Sequence, residues 1–179
     1  MKLNLFFIIP SLAILASAAT SDDTEGGWNN AHWGMTAQQI RETYPSSQML
    51  STPETYQFGG GRYICSLVLP NVPIADETFN VHFRMDRTSS LAAVQIQRDF
   101  PITAKGKSVF NTIRDMLTQK YGAAVSDDDA SNSSFAPGSR TVKWQCTNMQ
   151  IILRYLITPR SGECRISIAY QKPQSTENL

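Results

Sequence analysis

The sequence predicts an α+β fold made of two tandem αβββ units. Their antiparallel sheet carries the two helices on one face and leaves the other face open. Three observations predict it. Two segments carry helix signals, each is followed by three runs with period-two alternation, and the second set repeats the first at a nearly constant offset. The helix ends, Tyr44 and Tyr121, are 77 residues apart (44 to 121). Residue identity between the halves is low, and an undivided α+β domain can show the same spacing.

The first helix starts at Thr36. Its hydroxyl can cap the helix while Gln39, three positions on, bonds back, and Met35 and Ile40 occupy the two positions of a hydrophobic staple. Tyr44-Pro45 ends it, because proline disfavours helical geometry in the residue before it. The strand-like runs that follow are 63–69, 79–85 and 91–97. The second helix spans about 108–121, with Val109, Ile113, Met116, Leu117 and Tyr121 on one face and Gly122 as its C-terminal cap. Its strands are 141–146, 149–157 and 164–170. The stretch 125–139, with Asp127-Asp128-Asp129 and Ser131-Asn132-Ser133-Ser134, reads as a mobile loop. The first unit therefore occupies 28–100 and the second 101–171, between flexible tails at 20–27 and 172–179.

Residues 1–19 read as an export signal. Lys2 supplies the positive start, 3–15 is mostly apolar, and Ala16-Ser17-Ala18 offers the small-x-small cleavage pattern. The apolar run is shorter than the roughly twenty helical residues that a ~30 Å bilayer core requires, so no stable membrane span is expected. The expected location is the bacterial periplasm or the extracellular space. Removing Lys2 with the signal leaves 15 basic and 15 acidic residues, a balance that gives no global pull toward nucleic acid. Hydrophobic residues make up 41%, which supports a packed core over disorder.

Gly34-Met35-Thr36-x-x-Gln39-Ile40 resembles the Gly-Met-Thr-x-x-Gln-Val opening of the β-lactamase inhibitor protein family. That family is itself a tandem repeat of helical and antiparallel-sheet units of about this size. The same helix start is similar to that of the small outer-membrane-assembly lipoproteins. The likeness covers residues 34–40 and the order of elements. The second half reads Ile102-Thr103-Ala104-Lys105-Gly106 at the equivalent place and lacks the signature. The resemblance implies architecture, and no binding residue carries over.

Catalytic chemistry finds no pattern to rest on, and no catalytic residue is assigned. There is no Gly-x-Ser-x-Gly elbow, and a Cys–His pair would have to recruit His32 or His82. Those two histidines fall in no metal-binding spacing, and neither metal nor cofactor is expected. Asp127-x-Asp129-x-Ser131 shares the opening spacing of a calcium loop, but Asn132 and Gly138 replace its glycine and its final acid. Trp33 reads as a core anchor. Cys65, Cys146 and Cys164 all take the inward parity of their strands. Three buried thiols, or one disulfide with one thiol left over, fit an oxidising compartment. Any bridge should include Cys65, with Cys146 favoured as its partner because both belong to the first strand of their unit. Cys146 and Cys164 would lie at opposite ends of the intervening strand, beyond the ~7 Å that a bridge allows.

The outward parity carries the functional expectation. It bears His82, Arg84, Lys143, Arg154 and Arg165 with the apolar Ile152 and Leu156, and no acid on the outward positions of runs 79–85, 91–97, 141–146, 149–157 and 164–170. Such a face suits an acidic protein or an anionic envelope polymer. Strand faces also favour Lys and Arg simply to block aggregation. The expected class is an exported, non-catalytic binding protein, inhibitor-like or an envelope accessory. Its rivals are a small envelope hydrolase and an immunity protein against a secreted toxin.

Overall fold

The computed structural model describes residues 26–58, 61–130, 137–158 and 161–172. In chain order the elements are β1 (Gly27–Trp28), β2 (Ala31–His32), α1 (Ala37–Thr43), β3 (Gln48–Phe58), β4 (Gly61–Ile74), β5 (Glu77–Met85) and β6 (Leu91–Phe100), then α2 (Thr103–Tyr121), β7 (Ser126–Asp129), β8 (Arg140–Cys146), β9 (Met149–Ile157) and β10 (Cys164–Gln171). The architecture is α+β and mostly antiparallel sheet. The export-signal segment 1–19 lies outside the described residues, as does the stretch 173–179 of the C-terminal tail. No helix among the described residues is long and apolar enough to cross a membrane.

The start of α1 follows from its sequence. The Gln39 backbone N–H donates to Thr36 Oγ1 at 3.3 Å, and Thr36 N–H donates to Gln39 Oε1 at 2.8 Å, closing the capping box. The helix stops at Tyr44, ahead of Pro45, and Ile40 is its buried residue. Tyr44 then stacks on Trp28 with 5.9 Å between ring centroids and packs on Phe83 at 5.6 Å.

Helix α2 begins at Thr103, five residues before the expected 108, with no side-chain cap on Ile102. Tertiary contacts carry this extra turn: Tyr155 Oη donates to the Thr103 carbonyl at 2.9 Å. Gly106 lies where a Cβ would collide with Cys164 Sγ, which is why a poor helix former is accepted there. The buried stripe is Val109, Phe110, Ile113 and Leu117, while Met116 is exposed, so the helix is rolled toward Phe110 relative to the expected face.

Eight strands form one antiparallel sheet in the order β3-β4-β5-β6-β10-β9-β8-β7. The last strand before α2 and the last strand of the chain meet at its centre, from Cys164↔Phe100 to Gln171↔Ala93. Both helices and the β1–β2 hairpin pack on one face. There Phe83, Val81, Ile96, Ile168, Leu153 and Trp144 belong to one continuous core with Ile40, Trp28 and Phe110.

Each helix is followed by four strands where three were expected. Strand β3 is an outer edge strand with exposed residues at most positions and Pro53 inside it, so it lacks the apolar alternation of a half-buried strand. Strand β7 lies within the expected loop and turns Ser126–Asp129 into the opposite edge, paired with β8; residues 131–136 lie outside the described part. The N-terminal tail also ends earlier than expected. Gly26 is buried with its carbonyl accepting from Trp33 N–H at 3.2 Å, and Gly27 belongs to β1.

The cysteine expectations need correction. A register shift between Cys65 and Leu67 moves Cys65 onto the face away from the helices, opposite Arg84, while Leu67 stays opposite Phe83. Cys146 pairs with the buried Met149. Strands β4 and β8 are five strand spacings apart, ~24 Å at ~4.8 Å each. No disulfide joins Cys65 to Cys146.

Candidate functional site

The face without helices is built by rows of residues that stand opposite one another across the strands. One row runs Cys65, Arg84, Ala93, Gln171, Gln150, Gln145. The next runs Val68, His82, Gln95, Ala169, Ile152, Lys143, and a third Asn80, Gln97, Ser167, Arg154, Thr141. At the far end Asp99, Arg165 and Leu156 line up. All seven sequence-predicted residues therefore share this face.

They do not share an environment. Leu156 is 39% exposed and Arg165 is exposed, but His82 and Arg84 are only 8% exposed and Ile152 3%. The expectation of an open surface at His82 and Arg84 is thus corrected: side chains of this face pack over one another. The Tyr56 ring covers the Arg84 guanidinium at 3.8 Å.

Acids also enter the face. Arg165 binds both carboxylate oxygens of Asp99, at 2.6 and 3.0 Å, and Lys143 Nζ lies 3.9 Å from Asp128. The expected absence of acids is corrected too. Asp99 stands one alternation beyond Gln97, where β6 continues past the expected end, and Asp128 arrives on β7.

A partly buried polar chain runs across this face. Gln95 Nε2 donates to Gln97 Oε1 at 3.1 Å, and Gln97 Nε2 lies 3.2 Å from His82 Nε2. The amide can only donate, so His82 Nε2 accepts and its proton sits on Nδ1, 3.8 Å from Cys65 Sγ. The Cys65 thiol in turn points its hydrogen to the Leu67 carbonyl at 3.5 Å. Every group in the chain is used in its neutral form.

The protonation tendencies agree. Burial pushes the Cys65 thiol up to about 11, and burial pulls His82 below the usual imidazole value. A nucleophilic cysteine needs the opposite, a thiolate beside an imidazolium. Proximity brings the pair together, and desolvation favours the neutral form of both. Tyr56, pushed up to about 12 by burial and then by its hydrogen bond to Glu54, is neutral as well.

Tyr56 and Glu54 are the site residues that sequence reasoning missed, and Cys65, singled out there for a disulfide, enters the site as a buried thiol. Strand β3 offers no apolar alternation to find it by, and the bulge that turns Cys65 over leaves no mark in the spacing. The signal that could have found β3 is Thr52, Thr55 and Tyr56, strand-favouring residues on either side of an edge-compatible Pro53.

Among the described residues, no group of three or more His, Cys, Asp or Glu converges to hold a metal ion. A shallow depression of 480 Å³ lies at the far end of the face, lined by Asp99, Leu156, Glu163 and Arg165 among others. Its Asp99 carboxylate is already engaged by the Arg165 fork. Comparison with protein-family models, curated proteins and solved structures finds no match to this chain.

Proposed function

We propose that the chain is an exported, non-catalytic binding protein, inhibitor-like or an envelope accessory. In this reading it is two tandem helix-plus-sheet units, in the manner of the β-lactamase inhibitor proteins that its first helix start resembles. The helix-free face would contact an acidic protein or an anionic envelope polymer. One observation carries the reading: strands from both halves bring Arg84, Lys143, Arg154 and Arg165 to a single face that, among the described residues, no helix covers. The meeting of β6 and β10 supports the tandem reading, because it sets the two four-strand sets on either side of one central pair. The neutral Cys65–His82 pair supports binding over hydrolysis.

The experiment is capture of partners from envelope extract by the chain from residue 20 onward, alongside a variant carrying Arg84→Glu and Arg154→Glu. A partner retained at low salt, released by added salt and lost in the variant is the expected result. Turnover of a polysaccharide or peptide panel, with no retained partner, would overturn the reading.

A further inference from the structure

Arg84 is a cation whose burial the fold leaves unexplained. Its neighbours on the face are provided for: Arg165 has Asp99 and Lys143 has Asp128. Arg84 forms no ion pair with any described carboxylate. Its Nε–H is closed to water and meets no acceptor. Burial holds its pKa below the usual arginine value, and the charge of Arg154 adds to that, while Tyr56, Cys65 and Glu54 pull the other way without cancelling the cost of burial. Its compensation is the Tyr56 ring over its flat side, and Tyr56 is itself tied to Glu54. A buried charge without an acceptor is costly, and a persistent unsatisfied polar group in a folded protein calls for an ion, a ligand or a function.

We infer that the Arg84 guanidinium is the anchor for a single carboxylate side chain of an acidic protein partner, with Tyr56 holding the fork in plane for two parallel N–H···O bonds. This rests on the binding-face reading and narrows it to a partner class and a central contact. The planar fork matches a carboxylate in two bonds, which a lysine cannot do. The Tyr56 ring on one side pre-organises the fork, with the neutral Gln97–His82–Cys65 chain nearby. Such a buried arginine flanked by an aromatic ring has the character of an interface hot spot. The distribution of charge speaks for a protein over a polymer. A polyanionic chain follows a stripe of unpaired cations, whereas here Arg165 is paired with Asp99 and Lys143 lies near Asp128, so the cations of this face do not form such a stripe.

The test uses the chain from residue 20 onward and an acetylated, amidated hexaglutamate peptide as probe, followed by NMR of the arginine Nε–H groups at low salt. The expected result is a downfield shift of the Arg84 Nε–H resonance that saturates with peptide. Affinity should fall at least tenfold in Arg84→Lys, which keeps the charge and loses the fork, and stay unchanged in Arg114→Ala on α2. Tyr56→Leu should weaken binding while leaving Arg84 in place, so the inference stays testable if Arg84→Lys folds poorly.

No shift of the Arg84 resonance overturns the anchor, as does equal binding by Arg84→Lys. Tighter binding of a heparin-type polysaccharide than of the peptide, indifferent to Arg84→Lys, would assign the face to a polymer. The two readings fail separately. A partner captured from extract whose affinity ignores Arg84→Lys removes the anchor and keeps the face; no captured partner and no peptide response removes both.

Discussion

Both faces of the sheet bury side chains, for opposite reasons. On the helix-covered face Phe83, Val81, Leu153 and Trp144 are closed off by α1, α2 and the N-terminal hairpin, and their burial is the hydrophobic effect at work. On the other face His82, Arg84 and Ser167 are nearly as inaccessible with neither α1 nor α2 above them. Burial there removes hydration from polar groups, and hydrogen bonds replace only part of it. One face is therefore organised for stability. The other holds a neutral polar chain and a cation whose Nε–H meets no acceptor, a state that stability alone does not select.

The largest expected effect breaks the stable face. Phe83→Ala removes a fully buried ring that Trp28 and Tyr44 both contact, and should cost about 3–5 kcal/mol in urea unfolding. A loss below about 1 kcal/mol would mean that α1 and the hairpin are not seated on this face.

The opposite sign is expected across the sheet. Arg84→Met replaces a buried cation whose Nε–H meets no acceptor with an apolar chain of similar length, and should raise stability by about 1 kcal/mol while abolishing peptide binding. A destabilised variant would show that Arg84 serves the fold and would remove the contrast between the faces.

His82 gives a pH signature. Its folded pKa lies below the ordinary 6.5, so between the two values the unfolded chain takes up a proton that the folded chain does not. Its contribution is complete above about 6.5 and is lost as pH falls through the lower folded value. Thermal unfolding from pH 7.5 to 5 should show a steeper loss in the wild type than in His82→Gln. Parallel curves would mean that the imidazole is hydrated.

The smallest expected effect separates the two ends of the helix-free face. Asp99→Asn breaks an exposed pair with Arg165 and should change stability by no more than about 1 kcal/mol. It also exposes an unneutralised arginine, so hexaglutamate should bind somewhat more tightly. Weaker binding would place Asp99 in the contact instead.

What could be read in the chain were features whose physics is local. Thr36 and Gln39 close a cap within one turn, Pro45 ends that helix, and alternation in 79–85, 149–157 and 164–170 assigns each side chain to a face because successive strand residues point to opposite sides. The tertiary structure decided whatever depends on residues distant in sequence. Strand β3 is stabilised by pairing with β4 rather than by an apolar stripe, so only the assembled sheet reveals it. The early start of α2 depends on Tyr155, 52 residues further on. One bulge after Cys65 reverses the parity that regular spacing assigns and sets the thiol beside His82. The sequence placed Arg84 on the outward side by parity. Its burial beneath Tyr56 was set by a strand that carries no hydrophobic pattern, because packing between strands, and not periodicity within one, determines which outward residues keep their water.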